Sequence, residues 1–167
     1  SRAEAGEDPA APAVPAARES LKSAQAAVKS VEAAIVRISR EVWDKAAIGL
    51  QEQDAMEVHI RELEAAGFKI TARRAGGHPT AFVAEWSQGT GGPKLGFLSE
   101  YDGLSGLGNA AEPEPKAAGN GKTVGHACGH NCLGAGCTGA GLALKSMMEQ
   151  SKAPGTARGQ ESPNSPP

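Results

Sequence analysis

The chain has 167 residues, including 22 Gly and 11 Pro, and only 4% of its residues are aromatic. This length allows one domain with a buried core, which must be built mainly from aliphatic side chains and Ala. A formal net charge of −2 gives no bulk attraction to nucleic acid or to anionic membranes, and no apolar run is long enough to span a bilayer.

The first predicted element is a long helix. Residues 1–17 are rich in Ala and Pro without periodicity, which predicts a disordered tail. From residue 18 to about 43, apolar residues recur at alternating steps of three and four, which predicts one continuous amphipathic helix. Such a stripe fits either a helix laid on a sheet or a short coiled coil. Ala24 is a weak seam residue, which favours the helix on a sheet.

A second helix is predicted from Asp54, where Asp54 and Glu57 have the spacing of a capping box. Gly67 is placed to end this helix in a left-handed turn. Met56, Ile60 and Leu63 form its apolar face. His59 has charged neighbours in the sequence and is predicted to lie at the surface.

Three strands follow, over residues 68–72, 79–86 and 94–99, with a Gly-rich hairpin loop at 88–93 between the last two. Residues 103–124 are predicted to form a long loop, and a third helix runs from about Asn131 to Glu149. Its four glycines predict that another element packs closely against its backbone. Residues 151–167 lack periodicity and are predicted to be a disordered tail.

The third helix is preceded by a cluster of potential metal ligands. His126, Cys128 and His130 alternate, so on extended backbone their side chains would face one point. Thiolate and imidazole groups suit Zn²⁺ or a neighbouring first-row ion. A cysteine is equally often a small buried apolar residue, so the local pattern leaves metal binding and core packing open. Cys137 lies on the apolar stripe of the helix, where packing is favoured.

A second group of polar residues ends the third strand. Glu100 and Asp102 lie at the carboxyl end of this strand, where open α/β sheets place active sites. They could bind a metal directly or orient an imidazole ligand. An exposed pair of strand-end carboxylates is the other interpretation.

These two segments together resemble a known family. Glu-Tyr-Asp-Gly-Leu-Ser-Gly-Leu-Gly (100–108) and Gly-His-Ala-Cys-Gly-His-Asn (125–131) are similar to motifs of the aminoacylase and carboxypeptidase G-like metallopeptidases and amidohydrolases. The branch they resemble contains p-aminobenzoyl-glutamate hydrolase and the β-alanyl-lysine (Xaa-Arg) dipeptidases. Gly103 and Ser105 depart from its Ala and Pro. Weaker similarity runs from about residue 18 to 158.

The resemblance implies an α/β fold, namely the N-terminal part of a mixed-sheet metallohydrolase catalytic domain with flanking helices, over residues 18–150. It implies one or two divalent ions, Zn or Mn, with Cys128 and His130 as ligands. Asp102, Glu100 and His126 would be supporting residues or further ligands. The implied reaction is hydrolysis of an amide bond in an N-acyl amino acid or dipeptide by a water molecule that the ion activates.

The resemblance also predicts what this chain lacks. Family members continue into a strand with paired glutamates, one of them the general base, whereas here Glu161 is followed by Ser162 and Pro163. The base, the remaining histidine ligands and a smaller dimerisation domain are expected to be absent, so the chain alone is predicted to be inactive. The parent enzyme is expected to be a cytoplasmic homodimer acting on small amides or dipeptides, without nucleic-acid or membrane partners.

A different class of function remains as an alternative. The helix over residues 18–43 could serve as the partner surface of a non-catalytic interaction protein. In that case Ile35 and Ile38 would contribute to association.

Overall fold

The computed structural model describes residues 14–119 and 121–161. They form four helices, α1 (Val14–Ser30), α2 (Glu32–Asp44), α3 (Gln53–Ala65) and α4 (His130–Ser151), and a short 3₁₀ turn at Ala75–Gly77. The four strands are β1 (Lys69–Arg73), β2 (Phe82–Gln88), β3 (Lys94–Ser99) and β4 (Gly155–Glu161). This is the α/β architecture that the sequence predicted.

The strands form one mixed sheet in the order β1-β2-β4-β3. β3 and β4 are parallel, and the other two pairs are antiparallel. α3 and α4 pack against the sheet, and α2 packs on α3 and α4. The core between these layers contains mostly aliphatic residues but also Phe68, Phe82 and Tyr101, so the few aromatic residues contribute to it strongly. No helix in the described ranges is long and apolar enough to cross a membrane.

The predicted helix over residues 18–43 is two helices rather than one. Val31, with φ −106° and ψ 4°, interrupts it between α1 and α2. α1 also begins at Val14, four residues inside the predicted tail; residues 1–13 lie outside the described part. Both helices pack chiefly against other helices, with α4 as their shared partner, so the helix-on-sheet interpretation was wrong. The apolar stripe spans the break because its spacing continues through Val31.

The capping prediction for α3 was also wrong. The helix begins at Gln53 with Glu52 at the N-cap, and no side chain caps its first turn. The Met56 backbone N–H donates to the Glu52 carbonyl at 2.9 Å, which places the first helical turn ahead of Asp54. The end of the helix agrees with the prediction, since Gly67 adopts φ 85°.

The C-terminal segment differs most from the prediction. Residues 155–161, predicted to be disordered, form the interior strand β4, which separates β2 from β3. The expected β2–β3 hairpin therefore does not exist. Gly159 and other small residues gave no apolar periodicity, yet backbone pairing on both edges stabilises the strand, and Ala157 is fully buried. Residues 162–167 lie outside the described part.

Two of the four glycines of α4, Gly134 and Gly139, have the packing role that the sequence predicted. A Cβ added to Gly139 would lie 2.4 Å from Cγ1 of Ile35, so α2 approaches α4 too closely for a side chain there. A Cβ added to Gly134 would lie 3.1 Å from the His59 imidazole and 3.2 Å from the Glu100 carbonyl oxygen. The second contact ties α4 to the end of β3, where the candidate site lies.

Candidate metal centre

The two motif segments meet because their backbones cross closely. Leu104 and Gly125 exchange two backbone hydrogen bonds, of 2.8 and 3.0 Å. A Cβ at Gly125 would lie 2.1 Å from the Leu107 carbonyl oxygen, and one at Gly108 would lie 2.2 Å from the Lys122 carbonyl oxygen. These glycines let the residues after β3 lie directly beside the residues that lead into α4.

This crossing places His130 between two carboxylates. The Nδ1–H of His130 donates to Oδ1 of Asp102 at 2.9 Å, and its Nε2 lies 3.3 Å from Oε2 of Glu100. Glu100, Asp102 and His130 form the one group of at least three His, Cys, Asp or Glu side chains in the described residues whose donor atoms lie within 4.8 Å of one another. The structure thus brings together three of the five residues that the sequence selected.

The burial of this group is uneven. The side chains of Asp102 and His130 are 9% and 10% exposed, whereas that of Glu100 is 34% exposed. The Asp102–His130 hydrogen bond therefore lies in a weakly polar interior, which strengthens it. The Nε2 side of the imidazole, next to Glu100, faces the more open part of the site.

His126 and Cys128 do not join the group. The Gly129 N–H donates to the His126 carbonyl at 2.9 Å, and Gly129 has φ 82°, so the segment turns instead of running extended. Side chains two residues apart consequently diverge, contrary to the geometry assumed from the sequence. Cys128 is exposed as a free thiol, and its role as a ligand stays a prediction.

His126 is instead part of the interior. It is 3% exposed, and its Nε2–H donates to the Val42 carbonyl near the end of α2 at 3.1 Å. Burial is the main cause that lowers the pKa of this histidine, which keeps the imidazole neutral. The residue joins α2 to the loop before α4, and its role at the site stays a prediction.

His59 was predicted to be at the surface and is fully buried. Its Nδ1 shares a 2.9 Å hydrogen bond with Oγ1 of Thr138, and its ring stacks on Tyr101 with centroids 5.3 Å apart. Burial lowers its pKa to about 3. The charged neighbours were misleading, because position 59 lies three residues after Met56 and one before Ile60, on the apolar face.

Sequence reasoning also missed a buried carboxyl group close to the site. Glu52 is fully buried, and its Oε2 accepts a 2.7 Å hydrogen bond from the Thr80 hydroxyl. Burial is the main cause that raises the pKa of Glu52, and the charge of Asp102 raises it further. Nothing in the local pattern marked this residue, since Glu before a helix usually lies in solvent.

The geometry of the cluster fits a divalent ion. Zn–N and Zn–O distances near 2.1 Å at a tetrahedral angle put two ligand atoms about 3.4 Å apart. Nε2 of His130 and Oε2 of Glu100 are 3.3 Å apart. Asp102 engages the other ring nitrogen, as carboxylates commonly do for metal-ligating histidines. Imidazole and carboxylate donors suit Zn²⁺ and Mn²⁺ alike.

The sequence is similar to those of several curated proteins. Over 122 residues, which are 72% of the chain, it is 38% identical to a p-aminobenzoyl-glutamate hydrolase polypeptide of Escherichia coli. It is 32% and 30% identical to the Xaa-Arg dipeptidases of Mus musculus and Homo sapiens, over 70% and 77% of its length. The chain is thus similar to members of a metal-dependent peptidase and amidohydrolase family. No family model matches the sequence.

Solved structures agree on the fold. A dinuclear metal-binding peptidase from the M20 family of Bacillus subtilis matches 81% of the chain with a TM-score of 0.64 at 20% identity, over 36% of its own length. A putative aminohydrolase from methicillin-resistant Staphylococcus aureus matches 85% with a TM-score of 0.67 at 16% identity, over 34% of its own length. The chain spans about a quarter of the length of the curated relatives, covering 24%, 25% and 28% of them.

The structure does not favour the interaction-protein alternative. Ile38 is fully buried, and Ile35 packs against Gly139 of α4. Of the two residues chosen as a partner surface, Ile38 therefore belongs to the core and Ile35 is partly buried against it. Replacing them would unfold the chain rather than test an interface.

Proposed function

We propose that this chain carries part of the active site of a metal-dependent hydrolase that cleaves amide bonds in N-acyl amino acids or dipeptides. The observation that carries the proposal is the placement of His130 between Asp102 and Glu100 at the junction of the two motifs. Homology to p-aminobenzoyl-glutamate hydrolase and Xaa-Arg dipeptidase supports the class of substrate.

Each residue of the cluster has a defined task. Asp102 accepts the Nδ1–H of His130 and so fixes the tautomer that leaves the Nε2 lone pair available for a metal. Glu100 supplies a carboxylate oxygen on the same side of the ring. A divalent ion held there would act as a Lewis acid and lower the pKa of a water molecule. We propose that Zn or Mn occupies the site, as one ion or two, and that Cys128 completes the ligand set.

A separate general base is needed for the reaction. Glu100 and Asp102 both face the His130 ring, so neither is placed to accept a proton from an attacking water. We therefore propose that the 167-residue polypeptide binds the ion but does not turn over substrate. We also propose that the parent enzyme is cytoplasmic and homodimeric.

The assay uses the purified polypeptide with Zn²⁺ or Mn²⁺, and either p-aminobenzoyl-glutamate or a Xaa-Arg dipeptide as substrate. Metal bound in wild type but reduced in Cys128→Ser, with no hydrolysis of either substrate, is the expected result. Metal-dependent hydrolysis that His130→Gln abolishes would refute the inactivity and leave the reaction class standing. Equal metal content in wild type and Cys128→Ser would remove Cys128 from the ligand set.

A further inference from the structure

A chain of buried polar contacts lies behind the metal centre, and its residues have no role in the proposed reaction. Glu52, Thr80 and Tyr101 are each fully buried. The Thr80 hydroxyl donates to Oε2 of Glu52 at 2.7 Å, and the Tyr101 hydroxyl donates to the Thr80 carbonyl oxygen. One residue, Thr80, thus joins the N-cap of α3 to the segment that follows β3.

Tyr101 is the residue between the two carboxylates of the site. Its side chain points into the interior, while Glu100 and Asp102 on either side reach His130. The His59 ring stacks on the Tyr101 ring with an interplanar angle of 24°. The phenol is therefore held at its hydroxyl by Thr80 and on its face by His59. Any movement of Tyr101 would displace both neighbouring carboxylates.

Burying a carboxyl group costs free energy unless hydrogen bonds or a paired charge offset its desolvation. Oε1 of Glu52 has no hydrogen-bond partner among the described residues. An apolar residue of similar size would fill this space at lower cost. Among the described residues, Thr80 is the one whose side chain donates a hydrogen bond to this carboxyl group, and Thr80 also contacts Tyr101. The carboxyl group is therefore placed to hold Tyr101 in position through Thr80.

We propose that Glu52 is a positioning residue for the metal centre. It orients Thr80, Thr80 anchors Tyr101, and Tyr101 fixes the backbone from which Glu100 and Asp102 reach His130. The inference rests on the proposed metal-binding function. It assigns to Glu52 and Thr80 no contact with the ion, so their effect is on how tightly and in what geometry the ion is held.

The test measures Zn²⁺ affinity by competition with a chromophoric chelator, and the absorption spectrum of the Co²⁺-loaded protein, for the 167-residue polypeptide. Glu52→Gln and Thr80→Ser keep the acceptor and the hydroxyl, so both should bind Zn²⁺ within about threefold of wild type. Glu52→Leu, Thr80→Val and Tyr101→Phe each remove one contact. Their Zn²⁺ affinity should fall about tenfold or more, as for other outer-shell partners, and the Co²⁺ spectrum should change.

The control separates positioning from stability. Leu63→Ala opens a cavity at the opposite end of α3 and should lower the melting temperature, yet it should leave the Zn²⁺ affinity and the Co²⁺ spectrum unchanged. Because Tyr101→Phe removes a single hydroxyl, it keeps the test open if Glu52→Leu does not fold. Wild-type affinity and spectrum in folded Tyr101→Phe and Thr80→Val would overturn the positioning role while leaving metal binding intact. Wild-type protein that binds neither ion would refute the proposed function, and this inference with it.

Discussion

The buried His59 should make the fold sensitive to mild acid. The folded-state pKa of this histidine is lowered from 6.5 to about 3, so between these values the unfolded chain binds a proton that the folded chain does not. The free energy of unfolding therefore falls as pH drops below about 6.5. For this shift, moving from pH 7 to pH 5 costs about 2 kcal/mol.

The measurement is urea denaturation of wild type and His59→Gln at pH 7 and pH 5. Glu52, whose pKa is raised, contributes with the opposite sign, because its stabilisation is lost as pH rises through the folded-state pKa. This contribution is common to both proteins, as is that of His126. The difference between wild type and His59→Gln should therefore change by about 2 kcal/mol between the two pH values.

The partly buried His78 supplies the matched control, since His78→Gln removes an imidazole elsewhere in the fold. A direct check is the imidazole carbon-bound proton resonance of His59, which should not titrate between pH 5 and pH 8. Titration of that resonance near 6.5, or identical pH dependence in wild type and His59→Gln, would refute the reasoning from burial.

Three further substitutions test the packing and the site. Gly125→Ala would put a methyl group 2.1 Å from a carbonyl oxygen of the opposing loop segment. We therefore expect the free energy of unfolding, measured by urea denaturation, to fall by at least about 3 kcal/mol. Gly139→Ala should lower the melting temperature, because a clash with Ile35 outweighs a helix-propensity gain of about 1 kcal/mol, whereas Gly136→Ala, with open space around it, should raise it. Asp102→Asn should weaken Zn²⁺ binding about 10- to 100-fold in a chelator competition, and unchanged affinity would exclude the tautomer role.

The sequence predicted the elements whose signals are local. The helices α3 and α4 and the strand β3 were predicted at nearly their true bounds, because hydrophobic periodicity indicates which side of an element is buried. β4 was missed because an interior strand of small residues needs no apolar alternation when both of its edges are paired. The break at Val31 was missed because the apolar stripe continues through it.

Of the five candidate site residues chosen from the sequence, the structure brings three together, and their roles stay predictions. Glu100, Asp102 and His130 were found because strand ends and helix starts are where such side chains gather. The turn at His126–Gly129 was missed because His126, Cys128 and His130 were placed on extended backbone, whereas Gly129 adopts a left-handed conformation. Glu52 and Thr80 could not be found, since their pairing joins residues 28 positions apart in the chain and depends on the tertiary fold.

The central claim is that His130, held between Asp102 and Glu100, binds a divalent ion. Isothermal titration of Zn²⁺ into wild type, His130→Gln and the control His78→Gln tests it most directly. We expect saturable Zn²⁺ binding in wild type and in His78→Gln, and at least about 100-fold weaker Zn²⁺ binding in His130→Gln. Equal Zn²⁺ affinity in all three proteins would contradict it.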